Sequence, residues 1–332
     1  MSHMVEVRIA FAAMGTRFAL AVRTSPQRAG EARRALEAAA GWVRRVELRL
    51  SRFDPQSELS RLNAGASGCW QVVSPLLFSA LQAAEQARRL TGGLFDPAVL
   101  DALTRWGYDR DWRTLQSTRG RPALRAPSPA AAAAHGARQK PSRPQPAGAG
   151  GAPFQLDPLV RAVRLGEGVH LDLGGIVKGL TADTVVARLR GRFEAVLADA
   201  GGDIAAWSAP GLPPWRVALP ASLAGEGGGL VHLRAGGVAT SATTVRRFCG
   251  PLGPGHHLID PRTGSPSQSG VEVACVAARS AALAEVLAKA VVVGSFPEAR
   301  PALERSAPVL AWWRGRASRG KVVHWRCPSG WR

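Results

Sequence analysis

The chain has 332 residues, 46% of them hydrophobic and 20% charged, and its 43 lysines and arginines outnumber 24 aspartates and glutamates for a net charge of +19. That composition belongs to a globular protein with one large core or two modest ones, and it excludes a fibre or an acidic disordered tail. The basic surplus attracts polyanions such as nucleic acid, anionic lipid or a nucleotide diphosphate.

In chain order, the opening "MSHMVEVRIAFAAMGTRF" has no basic stretch followed by a long apolar run, and no twenty-residue apolar segment occurs later, so a cytoplasmic protein without a transmembrane segment is expected. Residues Val5 to Val22 alternate around a Gly-Thr kink and predict a hairpin or bent strand pair. Leu36, Ala40, Val43, Val46 and Leu50 recur at three- and four-residue steps, the pattern of an amphipathic helix with an arginine-rich outer face. Asp54 precedes Pro55, and Ser57 with Glu58 opens a further helix. Ser74 and Pro75 start a helix that Gly92 and Gly93 end.

From 117 to 152 the chain is rich in Pro, Ala, Gly and Arg with almost no large apolar side chain, which predicts a disordered basic insertion between residues 5–116 and 153–332 of a single domain. His170 to Leu189, "HLDLGGIVKGLTADTVVARL", reads as a strand, a glycine pair and a helix, with Lys178 at the junction between Asp172 and Asp183. "FEAVLADAGGDIAAW" and "GLVHLRAGGVATSATTVRRF" read as strands with glycine turns, and "PSQSGVEVACVAA" as another. A helix follows over "SAALAEVLAKAVVVG", capped by Ser280, and the end is β-like with Trp312, Trp313, Trp325 and Trp331 expected in the core. Strands and helices come in mixed order without regular βαβ alternation, so the fold class is α+β. Cys69, Cys249, Cys275 and Cys327 lie far apart and are expected to be reduced and buried.

Several short stretches carry candidate chemistry. A backbone freed by Gly174 and Gly175, followed by the unpaired N–H groups of a helix start, suits a phosphate, and Lys178 adds a mobile charge; taken alone, the stretch favours a simple strand-to-helix turn with a solvated lysine. Asp96, before Pro97, can accept from backbone amides or hold a nucleobase amino group or ribose hydroxyl. Thr240, Ser241, Thr243 and Thr244 lie beside Arg246 and Arg247, and hydroxyls with guanidinium forks favour phosphate oxygens. In "GPGHHLIDPRTGSP", His257 is a candidate general base and Asp260 could orient it or a metal.

Taken together and in order, "MGTRF", "SRFDPQSELSRLNA", "GGLFDPAV", "LDLGGIVKGLTAD", "ADAGGDI", "ATS" and "HHLIDPRTGSP" resemble the ApbE family, the FAD:protein FMN transferases, over roughly residues 11 to 294 apart from the insertion. The resemblance implies a single ApbE-like fold, FAD as donor and Mg²⁺ as metal. It implies transfer of FMN by a phosphoester bond to a Thr or Ser of a target flavoprotein, with release of AMP. It would put Met14 at the flavin, Asp96 at the nucleoside end, Lys178 on the phosphates, and Thr240, Ser241, His257 and Asp260 at the remaining ligand contacts. His257, Lys178 and Asp260 are the implied catalytic residues.

The sequence departs from the family pattern in the helix after Ser280. There the family usually shows an aspartate and, four residues on, a threonine, which bind the divalent ion with a backbone carbonyl of the glycine-rich stretch, here at Gly175. This chain has Glu285 and Lys289 at those positions, and an ammonium cannot ligate a cation. The same two residues also read as a helix-surface ion pair. Either Lys289 replaces the metal's charge in a site that still binds FAD, or the helix has drifted and catalysis is weakened or lost. The leading function is an FMN transferase, and the alternative is an FAD-binding protein weakened or inactive in transfer that acts as carrier, sensor or assembly factor. Specific nucleic-acid binding is not expected, because no recognition-helix or RNP-like motif accompanies the positive charge.

Overall fold

The computed structural model describes residues 4–117, 152–224, 229–307, 309–318 and 320–327. Nearly all of the 117–152 insertion, and Trp331, lie outside the described residues.

Strands β1 (Val5–Ala13) and β2 (Thr16–Thr24) pair antiparallel from Val5 opposite Thr24 to Ala13 opposite Thr16. The two residues left at the turn, Met14 and Gly15, both have positive φ, 52° and 63°, as a tight hairpin loop requires. Glycine adopts this freely, whereas Met14 is held in it by Glu47, whose Oε1 accepts the Met14 N–H at 2.6 Å. Helix α1 (Ala29–Leu50) buries Leu36, Ala40, Val43, Val46 and Leu50, the expected stripe. Helix α2 (Glu58–Ala64) starts at Ser57, whose hydroxyl accepts the Ser60 N–H. After β3 (Trp70–Val72), α3 (Pro75–Leu90) is capped by Ser74 and ended by Gly92 and Gly93 in the left-handed region. Two short helices, α4 (Leu100–Trp106) and α5 (Trp112–Ser117), follow.

Beyond the insertion come β4 (Phe154–Asp157), β5 (Ala162–Leu165), α6 (Val177–Leu189), β6 (Ala195–Ala200) and β7 (Ile204–Ser208). Then come β8 (Trp215–Ala218), α7 (Ala221–Ala224), β9 (Leu230–Leu233), β10 (Ala235–Ala242), β11 (Arg247–Gly250), β12 (Gly253–His256), β13 (Ile259–Asp260) and β14 (Ser265–Pro266). The chain closes with β15 (Val271–Ala278), α8 (Ala281–Arg305), β16 (Leu310–Gly315) and β17 (Val323–Arg326).

An eight-stranded sheet, in the order β1-β2-β6-β7-β10-β15-β16-β17, takes strands from both sides of the insertion. Each adjacent pair is antiparallel. Helices α1, α6 and α8 cover one face: Leu36, Val43, Val185 and Val186 pack on Phe18, Leu20 and Val196, and Leu287 and Val291 join Ala274 and Val276. On the other face Val217, Leu219, Leu223 and Leu233 pack against Val238, Val273 and Cys275. The mixed α+β architecture agrees with the expectation.

Three local readings need correction. His170 to Leu173 forms no strand: Asn63 holds the Leu171 N–H and carbonyl through its side chain, and the Pro97 carbonyl accepts the Asp172 N–H, so no ladder is needed. The strands in this region lie upstream, as β4 and β5. Helix α8 does not stop at Gly294; it breaks at Ser295, with φ 69°, and resumes to Arg305, with Pro297 in the first turn of the second piece, where a missing N–H costs nothing. Cys69 and Cys249 are exposed rather than buried, and no disulfide links the cysteines among the described residues. Trp313 is buried and stacks on Phe296 at 4.3 Å, and Trp325 meets the same ring edge-on, so this part of the tryptophan-rich end is core. No helix among the described residues is long and apolar enough to cross a membrane.

The crossing of α6 and α8 positions the site. Asp183 accepts the Ala281 N–H at 2.8 Å and the Ala282 N–H at 2.9 Å, so a carboxylate of α6 caps the start of α8. Burial raises its pKa to about 6 against the pull of those amides. Gly179 lies at the contact, and a Cβ there would come within 2.6 Å of Ala282 Cα and N. Neither atom can swing aside. We expect Gly179→Ala to force the helices apart and cost about 3 kcal/mol, the upper end of overpacking effects, which calorimetry would read as a Tm lower by about 4 °C.

Candidate functional site

A cavity of about 360 Å³ opens where several segments meet, among them Tyr108 and Trp112 on one wall and the following five. These are the Met14-Gly15 turn, the end of α1 with Arg52 to Asp54, the Leu94 to Asp96 loop, Gly174 and Gly175 with α6, and His257 to Ile259 facing Lys289 of α8. The volume falls in the range of small-molecule sites.

Two lysines and two carboxylates interlock at its base. Lys178 Nζ donates to Asp203, just before β7, and to Glu285 Oε1 at 2.9 Å; Lys289 Nζ donates to the same Glu285 oxygen at 3.0 Å. Glu285 Oε2 accepts the Gly179 N–H at 2.9 Å, and the residue is wholly buried. Burial lifts Asp203 to a pKa of about 6, aided by the Glu285 charge and opposed by Lys178. Burial also pushes Glu285 up, but Lys178, Lys289 and the Gly179 N–H outweigh it and hold the carboxyl below its ordinary value. Lys178 is held above its ordinary value, because the two carboxylates overcome its desolvation.

This cluster revises three expectations. Lys178 is not a mobile charge, since Asp203 and Glu285 hold its ammonium and match it. The first turn of α6 is not fully open to a phosphate, because the Gly179 N–H is taken. Glu285 and Lys289 are no surface pair: their side chains are 0% and 15% exposed.

The residues present do not fit Mg²⁺. Glu285 already accepts from two ammonium groups and an amide, and Lys289 has no lone pair to offer. Among the described residues no group of three or more His, Cys, Asp or Glu could hold a metal ion. Gly175 lies at the cavity, but as a neighbour of Lys289: a Cβ on it would come within 3.3 Å of Lys289 Cε.

His257 lines the cavity, and its Nδ1 is buried with no hydrogen-bond partner. Burial, and then the positive charges of Arg246, Lys289, His256 and Lys178, hold its pKa well below the ordinary histidine value, so the imidazole is neutral. Asp96 lines the cavity too; its Oδ1 accepts the Ala98 N–H at 2.8 Å, while its buried Oδ2 has no partner, and burial raises its pKa. Met14 lies at the rim, in its constrained turn.

Besides Glu285, which lies beneath the cavity, the sequence candidates Asp260, Thr240 and Ser241 are not among the lining residues. Asp260 belongs to a turn: its oxygens take the Arg262 guanidinium at 2.8 and 2.9 Å and the Arg262 N–H at 3.0 Å, so it does not orient His257. Thr240 and Ser241 lie in β10, an inner strand of the sheet. Thr240 shares a face with Val238 and Ala242, which pack in the cluster opposite the helices, and it reaches Cys275.

The sequence reading missed Arg52, Tyr108 and Trp112 on the opposite wall. The Arg52 guanidinium lies over the Phe53 and Tyr108 rings, donates to the Tyr108 carbonyl at 2.9 Å and pairs with Asp172, whose Oδ1 also accepts the Gly174 N–H. Arg246 donates to the Tyr108 hydroxyl at 3.2 Å. "SRFDP" contained the Arg52 signal; nothing local marks Tyr108.

The sequence model of the ApbE family matches residues 14–313. Among characterised proteins, an FAD:protein FMN transferase of Treponema pallidum (strain Nichols) is 29% identical over 302 residues, covering 86% of this chain and 77% of that protein. A second, from Rhodobacter capsulatus, is 30% identical over 243 residues, covering 71% of this chain and 42% of a much longer protein. Among solved structures, the ApbE protein of Thermotoga maritima superposes with a TM-score of 0.72 at 24% identity over 98% of both chains. The flavin transferase ApbE of Vibrio cholerae does so with 0.72 at 20% identity, again over 98% of both, and these two likenesses establish the fold.

Proposed function

The chain belongs to the ApbE family, and from that membership we propose that it is an FAD:protein FMN transferase which binds FAD in the cavity between α6, α8 and the Met14-Gly15 turn. The single observation that carries the reading is the pairing, in one cavity, of a neutral His257 whose Nδ1 has no partner with the ammonium groups of Lys178 and Lys289. Phosphoryl transfer to a hydroxyl needs both: a base for the proton, and fixed positive charge for the phosphates.

In this reading the hydroxyl oxygen of an acceptor Thr or Ser attacks the phosphorus of the FMN half of FAD. A new P–O bond forms, the bond from that phosphorus to the oxygen of the AMP phosphate breaks, and the hydroxyl proton passes to His257. Modified acceptor and AMP leave. Lys178 stabilises charge that grows on the phosphate oxygens, and because Asp203 and Glu285 hold it in place, little reorganisation accompanies the reaction. The diphosphate also offsets the cationic field that depresses His257, so the base strengthens when the donor binds. Asp96, with its unpartnered Oδ2, accepts from an amino or hydroxyl group of the nucleoside. Met14 packs against the flavin. No step passes through a metal, since the side chains around Glu285 do not fit one.

Two exposed cysteines, Cys69 and Cys249, that form no disulfide support a reducing compartment, and we place the protein in the cytoplasm. The acceptor is a flavoprotein presenting a Thr or Ser in a flexible segment. A second reading, a flavin carrier without transfer, is favoured by the altered Glu285/Lys289 pair. One experiment separates them: incubation with FAD and a threonine-containing acceptor peptide, followed by mass spectrometry of the peptide and chromatography of the nucleotides. The expected result is flavinylated peptide and AMP in equal amounts. FAD retained intact on the protein, with unmodified peptide, would establish the carrier.

A further inference from the structure

Although the Glu285 site does not suit a metal, it is positively charged where it meets the cavity. Lys289 stands one turn beyond Glu285 on α8 and lines the cavity. Its stem packs against Gly175, with Cε 3.3 Å from where a Gly175 Cβ would be, so the side chain is seated rather than swung into solvent. An ammonium group has three donors. Among the described residues Glu285 Oε1 takes one of them, at 3.0 Å. Two N–H bonds therefore remain for a ligand, and phosphate oxygens are the acceptors that match them best.

A divalent ion would have to displace this ammonium. It would also have to strip Glu285 of a donor and then gather several oxygen ligands around itself, where one carboxylate oxygen is bound to the Gly179 N–H. A lysine fixed by the fold needs no such assembly. Its one charge is smaller than a metal's, but Lys178 and Arg246 line the same cavity.

We propose that Lys289 is a resident cation of the donor site: its ammonium binds the FAD diphosphate in place of a divalent ion, and the protein binds FAD without Mg²⁺. The proposal rests on the flavin reading above. It makes this chain a metal-independent variant of the donor site, with Glu285 as the anchor that orients Lys289 and Lys178 together.

The test is titration of the purified full chain with FAD in EDTA and in millimolar Mg²⁺, for the natural protein and for Lys289→Met, together with a Mn²⁺ titration of the natural protein followed by electron paramagnetic resonance in the presence of FAD. For the natural protein the expected affinities in EDTA and Mg²⁺ agree within twofold, and no stoichiometric Mn²⁺ is taken up. Lys289→Met, which keeps the length of the side chain and leaves Glu285 paired with Lys178, is expected to bind FAD at least tenfold more weakly. Tenfold tightening of FAD by Mg²⁺ in the natural protein, stoichiometric Mn²⁺ uptake, or unchanged affinity in a folded Lys289→Met would each overturn the proposal while leaving the flavin reading intact. The natural protein measurements hold even if the variant does not fold. Absence of FAD binding by the natural protein in both buffers would overturn the flavin reading, and the proposal with it.

Discussion

His257→Gln is expected to lower FMN transfer by about 10²–10⁴-fold, the usual contribution of a general base, while FAD binding changes only a few-fold. The imidazole lines the cavity, is neutral, and has an Nδ1 that nothing in the fold satisfies. Glutamine is similar in size but has no group that takes up a proton near neutrality. A second readout separates this role from a structural one. A histidine whose folded pKa lies below its unfolded value binds fewer protons when folded. Its contribution to stability is full above about pH 6.5 and is lost as pH falls below that value. Between about pH 7 and 5.5 the Tm of the natural protein should therefore fall more steeply than that of His257→Gln. Transfer by the natural protein should show no acid limb at the ordinary histidine pKa. Transfer retained within threefold in the variant would remove His257 from the proton path.

Lys178→Met is expected to cost about 3–5 kcal/mol of stability at pH 8, the range for removing one partner of a buried ion pair, and to reduce transfer at least as strongly as loss of the base. The lysine is paired with Asp203 and Glu285, which are almost completely buried, and its removal leaves Lys289 to face both. Asp203 offers an escape. Its pKa is already raised to about 6 by burial and by Glu285, and Lys178 is the largest influence pulling it down. Without Lys178 it rises further and protonates near neutrality. A carboxyl whose folded pKa exceeds its unfolded value gains stability as pH falls through the folded pKa, so the Tm deficit of Lys178→Met should shrink from pH 8 to about pH 6. A deficit that grows on acidification would mean that Asp203 is not the group absorbing the lost charge.

Much of the frame could be read locally. The β1–β2 hairpin, the stripe of α1 and the serines at 57, 74 and 280 all announce themselves within a few residues, because alternation, helical spacing and caps are short-range effects. His170 to Leu173 shows the limit of such patterns: it alternates like a strand, yet an asparagine 108 residues away in sequence takes both backbone hydrogen bonds of Leu171, and the Pro97 carbonyl takes the Asp172 N–H. The site was legible as a set of residues but not as a circuit. Lys178, Asp96 and His257 stood out individually, whereas the closure of Lys178 on Asp203 and Glu285 joins positions 25 and 107 residues apart. Asp260 misled because an aspartate three residues from a histidine has equal claim to a turn, and Arg262, two residues on, wins it.

The start of α8 is gripped twice by α6, once through Asp183 on Ala281 and Ala282, and once through Lys178 and the Gly179 N–H on Glu285. Two fastenings one helical turn apart work like the two teeth of a ratchet: they fix both the rotation and the axial register of one helix against the other. Sliding α8 by a single residue would turn Glu285 away by about 100° and release both teeth together. The donor site is therefore gauged by the backbone pitch of two rigid rods, and the cations at its base take their spacing from those helices, with Asp203 of the β6–β7 turn as a contact from outside them.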